Sequence, residues 1–184
     1  MSVVLGPCCR SSSLSWGKHT MTSAYFSYHF GNDAARAASA RSAMALEADA
    51  PIAPPAWEEL GWGGDTAVTR WVAERLRGKE CLVVLIGSQT ATRKWVKYEI
   101  KMAWESGRGV MGINIHNLLD AKGKPSAPGK NPFEDFAYGG VKLSELVKVY
   151  EPLGDNPQEN LMHISGNAHI WAANAVAARR VPVS

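Results

Sequence analysis

Cys81-Leu82-Val83-Val84-Leu85-Ile86-Gly87-Ser88-Gln89-Thr90 is the most informative run in this 184-residue chain. Six apolar residues in a row, three of them β-branched, have the length of a strand rather than a helix. An alternating run would leave one face wet, so an unbroken one predicts a central parallel strand covered on both faces. Gly87–Thr90 are turn and cap types, with Thr90 or Thr92 opening a helix over Arg93–Ser106 that Gly107 ends. Val110–Ile115 is a second apolar strand. On the other side, Asp65 opens a helix in which Val68, Trp71, Val72 and Leu76 recur at helical spacing, closed by Gly78.

The same alternation extends towards both ends. Ala24–Tyr28 is a short aromatic strand, and Asp33 is placed to cap a helix over Ala34–Leu46. Ala50–Gly64, dense in Pro and Gly, predicts an ordered loop with at most a short strand. Asn117–Pro132 is a loop of unusual length, Leu146–Tyr150 a last strand and Gly166–Arg180 a last helix. Strands that alternate with helices imply an α/β fold with a parallel sheet, because parallel neighbours need crossover connections.

Composition narrows the function. At 46% hydrophobic and 20% charged the chain can bury a core. Its net charge of +3 is too weak for a nucleic-acid binder. Residues 1–20 hold Arg10 and Lys18 and no acid, leaving 18 basic against 17 acidic residues in 21–184. That segment also holds Cys8 and Cys9 and shows no helical or strand period, so we read 1–20 as a disordered leader before a single domain, 21–184. Three cysteines form neither a disulfide framework nor a paired zinc site. His163 and His169 lack metal-ligand spacing, so no metal is expected. No apolar run is long enough to cross a bilayer, which predicts a cytoplasmic protein that engages no membrane.

Ligands of open parallel sheets bind beyond the carboxyl ends of the strands. That rule selects Tyr28 and His29 after the first strand, Ser88 after the central one and His116 after the fourth. On the helix after the central strand, Val96, Ile100 and Ala103 share a stripe that should face the sheet. Trp95 and Glu99 lie one turn apart on an adjacent stripe, a pairing suited to a flat cationic ring. By pattern alone this pair reads first as a partly buried Trp beside a Glu that is solvated or bound to a lysine.

The run Tyr25-Phe26-Ser27-Tyr28-His29 resembles the first conserved box of TIR (Toll/interleukin-1 receptor) domains. Trp95-Val96-Lys97-Tyr98-Glu99-Ile100 resembles the Trp-x-x-x-Glu segment of the NAD-cleaving members. Together with Trp57-Glu58-Glu59, Val84–Thr90, Gly112–Asn117 and Gly129–Phe133, these stretches are similar to the TIR-like B proteins of Thoeris anti-phage systems, over about Ala24 to Phe133.

That resemblance implies a flavodoxin-like three-layer sandwich on a five-stranded parallel sheet. It implies an enzyme of the NAD+ glycohydrolase or ADP-ribosyl cyclase type, with NAD+ as substrate and no cofactor. The product implied is a cyclic ADP-ribose isomer that activates a separate effector protein, and a homo-oligomer is compatible with this role. Glu99 takes the catalytic position; Trp95, Tyr28, His29, Phe26, Ser88 and His116 form the candidate substrate-binding set. His29 stands where many members have Arg. The loops Asn117–Pro132 and Ala50–Gly64 are the segments available as lids. The alternative is a non-catalytic TIR-like module that binds a protein or a nucleotide, because a fold does not fix an activity.

Overall fold

The computed structural model describes residues 22–48 and 64–180, so the readings of 1–20 and of nearly all of 50–64 lie outside it. In chain order the elements are β1 (Ser23–Ser27), α1 (Phe30–Ala43), β2 (Glu47–Ala48), α2 (Gly64–Leu76) and β3 (Cys81–Ile86). A 3-10 turn at Thr90–Thr92 leads into α3 (Lys94–Glu105) and β4 (Gly109–Asn114). A small antiparallel hairpin, β5 (Ala137–Tyr138) with β6 (Val141–Lys142), precedes α4 (Leu143–Leu146), β7 (Val149–Tyr150) and α5 (Pro157–Arg180).

Five strands form one sheet in the order β2-β1-β3-β4-β7, and every pairing in it is parallel. The α/β fold with a parallel sheet is therefore as the strand–helix alternation predicts, and its five strands are as the resemblance implies. The central run explains the layers. Cys81, Val83 and Leu85 point to one face, with Ala37 and Ala40 of α1 and Ile164, Ala168 and Trp171 of α5. Leu82, Val84 and Ile86 point to the other, with Val72 and Leu76 of α2 and Val96, Ile100 and Ala103 of α3. All six β3 side chains are at most 1% exposed.

Several boundaries differ from the sequence reading, each for a local reason. Helix α1 begins at Phe30 rather than after Asp33, which makes Asp33 a fully buried first-turn residue instead of a cap. Thr90 does not cap α3; its hydroxyl accepts the Gly87 N–H, and Arg93 occupies the cap position without a side-chain bond. Residues 143–146 coil into α4, so the edge strand keeps only Val149 and Tyr150. Helix α5 starts at Pro157, well before Gly166. The Asn156 side chain accepts the Glu159 N–H while the Glu159 carboxylate accepts the Asp155 N–H, and Pro157 tolerates the first helical position. The weak apolar period of α5 hid its first turns.

The loop after β4 is ordered by one buried guanidinium. Arg36, 3% exposed, donates to the carbonyls of Leu118 (2.9 Å), Lys124 (2.7 Å) and Asn32 (3.1 Å) and to Asp33 (3.2 Å). Within the loop, Asp120 accepts the N–H groups of Lys122 and Lys124. A side chain on Gly129 would collide with the Gly87 carbonyl, and one on Gly87 with the Asp33 carboxyl. The segment is a strap fastened to α1 and the end of β3, which makes it a fixed wall rather than a free lid.

Truncating the centre of this packing should be costly. Leu85→Ala is expected to lower the unfolding free energy by about 3 kcal/mol in urea titrations, the range for a fully buried leucine. A loss under about 1 kcal/mol would contradict the two-sided burial of β3.

Candidate active site

The sheet order places β2 on one side of β1 and β3 on the other, so the chain winds in opposite directions from that pair. The crevice beyond the carboxyl ends of β1 and β3 is therefore the topological switch point. Ser27 ends β1 and Ile86 ends β3. Helix α3 lies against this part of the sheet and turns Glu99 inward, 2% exposed.

Glu99 receives two hydroxyls from β1. Tyr25 Oη donates to its Oε1 at 2.7 Å and Ser27 Oγ to its Oε2 at 2.5 Å. The two donors sit two residues apart, so the strand's pleat presents both on the α3 face. Burial pushes the Glu99 carboxyl up to about 7, although both hydrogen bonds pull in the opposite direction by favouring its charged form. The Tyr25 phenol is raised well above its ordinary value by burial and then by the Glu99 charge, so it stays a donor. Glu99 is thus neither solvated nor bound to a lysine, the two plain readings its sequence position allowed.

The other predicted residues are distributed around this centre. Trp95 is half-buried one turn before Glu99, against the α2–α3 side of the core, with the Lys94 ammonium 5.2 Å from its ring centroid. Tyr28 packs against the opposite face and stacks on Phe30 at 6.2 Å; its phenol is raised by burial, lowered by Arg41 and raised by the Glu99 charge. His29 is the N-cap of α1, with Nδ1 buried and unpartnered; burial, then the nearby Arg93 charge, lowers its pKa and keeps it neutral.

Phe26 alternates to the face away from Glu99, in the α1–α5 core with the Arg41 guanidinium over its ring. Ser88 lines a cleft of about 460 Å³ between the start of α1 and the strap, with Gly31, Asn32, Lys122 and Ser126. His116 faces Glu151 at 3.7 Å, and Glu151 also accepts from Asn114. The structure therefore joins Glu99 to β1, keeps Trp95 one turn away on the same helix and Tyr28 within electrostatic reach, and gives His29, Phe26, Ser88 and His116 other neighbours.

Tyr25 and Ser27 are the residues that sequence reasoning missed. The available signal was a serine on the buried face of β1, because a buried polar group requires a partner. Arg93 was also missed: it joins Gln89 Oε1 at 2.9 Å and places positive charge beside His29. Among the described residues, no cluster of His, Cys, Asp and Glu is arranged to hold a metal. No helix among them is long and apolar enough to cross a membrane.

The sequence profile described as "Thoeris protein ThsB, TIR-like domain" matches residues 25–120, which contain β1, β3, α3 and Glu99. The chain belongs to this family. It is also 34% identical over 103 residues to ThsB1 of Bacillus cereus (strain MSX-D12), whose name proposes a cyclic ADP-D-ribose synthase. That match covers 56% of this chain and 54% of the relative, so the chain spans about half the length of the curated relative it matches.

The buried Glu99 carboxyl has a measurable signature. A ¹³C titration of the Glu99 side chain should give a midpoint near 7, and Tyr25→Phe should raise it by removing a donor to the charged form. The linkage sign follows. Between 4.5 and about 7 the folded state holds a proton that the unfolded chain has released, so this group's contribution to stability falls as pH rises through that window. A midpoint near 4.5 in the wild type would contradict the buried setting.

Proposed function

We propose that this TIR-like protein cleaves NAD+ at the bond between nicotinamide and ribose and releases a cyclic ADP-ribose-type nucleotide as a signal in anti-phage defence. The observation that carries the reading is Glu99, buried at the switch point between two hydroxyl donors one turn after Trp95. The family match and the relative's name support it.

One carboxylate is enough for this chemistry. Glycoside hydrolases generally use two because the departing alkoxide must be protonated. Nicotinamide leaves as a neutral molecule from a cationic pyridinium, so no general acid is needed. In its charged form Glu99 stabilises the ribosyl cation as the bond breaks, and its two hydroxyl donors favour that form. Trp95 offers a flat face to the nicotinamide or adenine ring. Cyclisation then requires an internal ring nitrogen to reach the anomeric carbon before water does, which a closed pocket favours.

At 2% exposure Glu99 is closed off from ligand, so this reading requires the site to open before a ribose reaches the carboxylate. The product then acts on a separate effector protein, with the chain working as a monomer or a homo-oligomer in the cytoplasm. The binding-only alternative keeps the fold but assigns Glu99 no chemistry.

The two readings separate in cells. Mass spectrometry of nucleotides during phage infection should detect a cyclic ADP-ribose-type product with the wild-type chain and none with a folded Glu99→Gln variant. Equal product from both would remove Glu99 from the chemistry.

A further inference from the structure

A second cleft, of about 500 Å³, opens on the far side of the sheet's β7 edge from the Glu99 crevice. It lies between the end of α3, the start of β4, the α4–β7 segment and the last turns of α5. Most of its lining comes from residues 145–179, beyond the 25–120 segment that the family profile matches. Its volume is that of a site for one small organic molecule.

Its chemistry is unbalanced in a specific way. Two cations line it, Lys148 and Arg179, and neither has a carboxylate partner among the described residues. Each is held by an aromatic ring. The Arg179 guanidinium lies 3.8 Å from the Trp104 ring centroid and donates to the Trp104 carbonyl at 2.8 Å, while its Nε is buried without a partner. The Lys148 ammonium stands 5.3 Å from the Tyr150 centroid. Between them runs an apolar wall that includes Val110 and Leu146, the latter 43% exposed. Two cations lining one cleft without an ion-pair partner among the described residues favour an anion there, because charge-assisted hydrogen bonds are the strong ones.

We propose that this cleft is a second ligand site, taking a nucleotide of nucleoside-monophosphate size. Its phosphate lies between Lys148 and Arg179, and its base lies on the Leu146 wall. Glu145 and Asn174, also in the lining, are available to the sugar hydroxyls. The class follows from the combination. A bare inorganic anion leaves the apolar wall wet, and an apolar ligand leaves both cations unmatched. The site adjoins Trp104, five residues after Glu99 on α3, so its occupant touches the helix that carries the catalytic carboxylate.

Calorimetric titration of the full chain with AMP tests this. The expected result is saturable binding to one site, weakened by about tenfold or more in Lys148→Glu and retained in Glu99→Gln, with inorganic phosphate binding more weakly than AMP. Lys148 is exposed and makes no side-chain hydrogen bond or ion pair among the described residues, so its variant should fold as the wild type does. Leu146→Asp, which charges the wall without touching either cation, should also weaken AMP. Absence of saturable AMP binding, binding insensitive to Lys148→Glu, binding lost in Glu99→Gln, or phosphate binding as tight as AMP would each overturn the assignment.

Discussion

A carboxylate with no water around it persists in a protein only where donors replace the lost solvent. Glu99 meets that condition through Tyr25 and Ser27, one hydroxyl for each oxygen. The arrangement ties α3 to β1 and so fixes where the helix lies across the switch point. Hydrogen bonds to a charged group are worth roughly 1.5–3 kcal/mol each, against a desolvation cost of similar or greater size. Desolvation outweighs the two hydrogen bonds, which is why burial pushes the carboxyl up to about 7 from its ordinary 4.5.

The carboxyl edge is built around that pair by a second buried ion. Arg36 holds the strap after β4 by its carbonyls, and Asp33 balances the guanidinium charge from within α1. Small residues make the approach feasible, since Gly87 and Gly129 leave no room for side chains between strap, strand and helix. The strap is therefore fastened to the α1 side of the sheet's carboxyl edge. Loops that carry function on a rigid scaffold are the usual division of labour in such folds.

Much of this was legible in the sequence because β3 is unambiguous. An unbroken apolar run followed by a helix sets the layer order, and the resemblance around Trp95 and Glu99 supplies the candidate carboxylate. The partners of Glu99 were harder to see. Tyr25 and Phe26 look alike in composition, yet the pleat sends one to Glu99 and its neighbour to the opposite core. The start of α5 was missed because its apolar period is weak, so the cap residues Asn156 and Glu159 carried the signal. The strap reads as an available lid because nothing within it shows an anchor, while the group that fastens it, Arg36, belongs to a helix far away in sequence.

The central claim is that Glu99 faces the ribose of NAD+ when the site is occupied. Crystallography of Glu99→Gln with NAD+ bound tests it most directly, since the variant preserves shape while removing the charge. The account predicts the anomeric carbon of the nicotinamide ribose beside the residue 99 carboxamide and a ring of the ligand against Trp95. NAD+ bound with both ribose rings remote from residue 99 would contradict it.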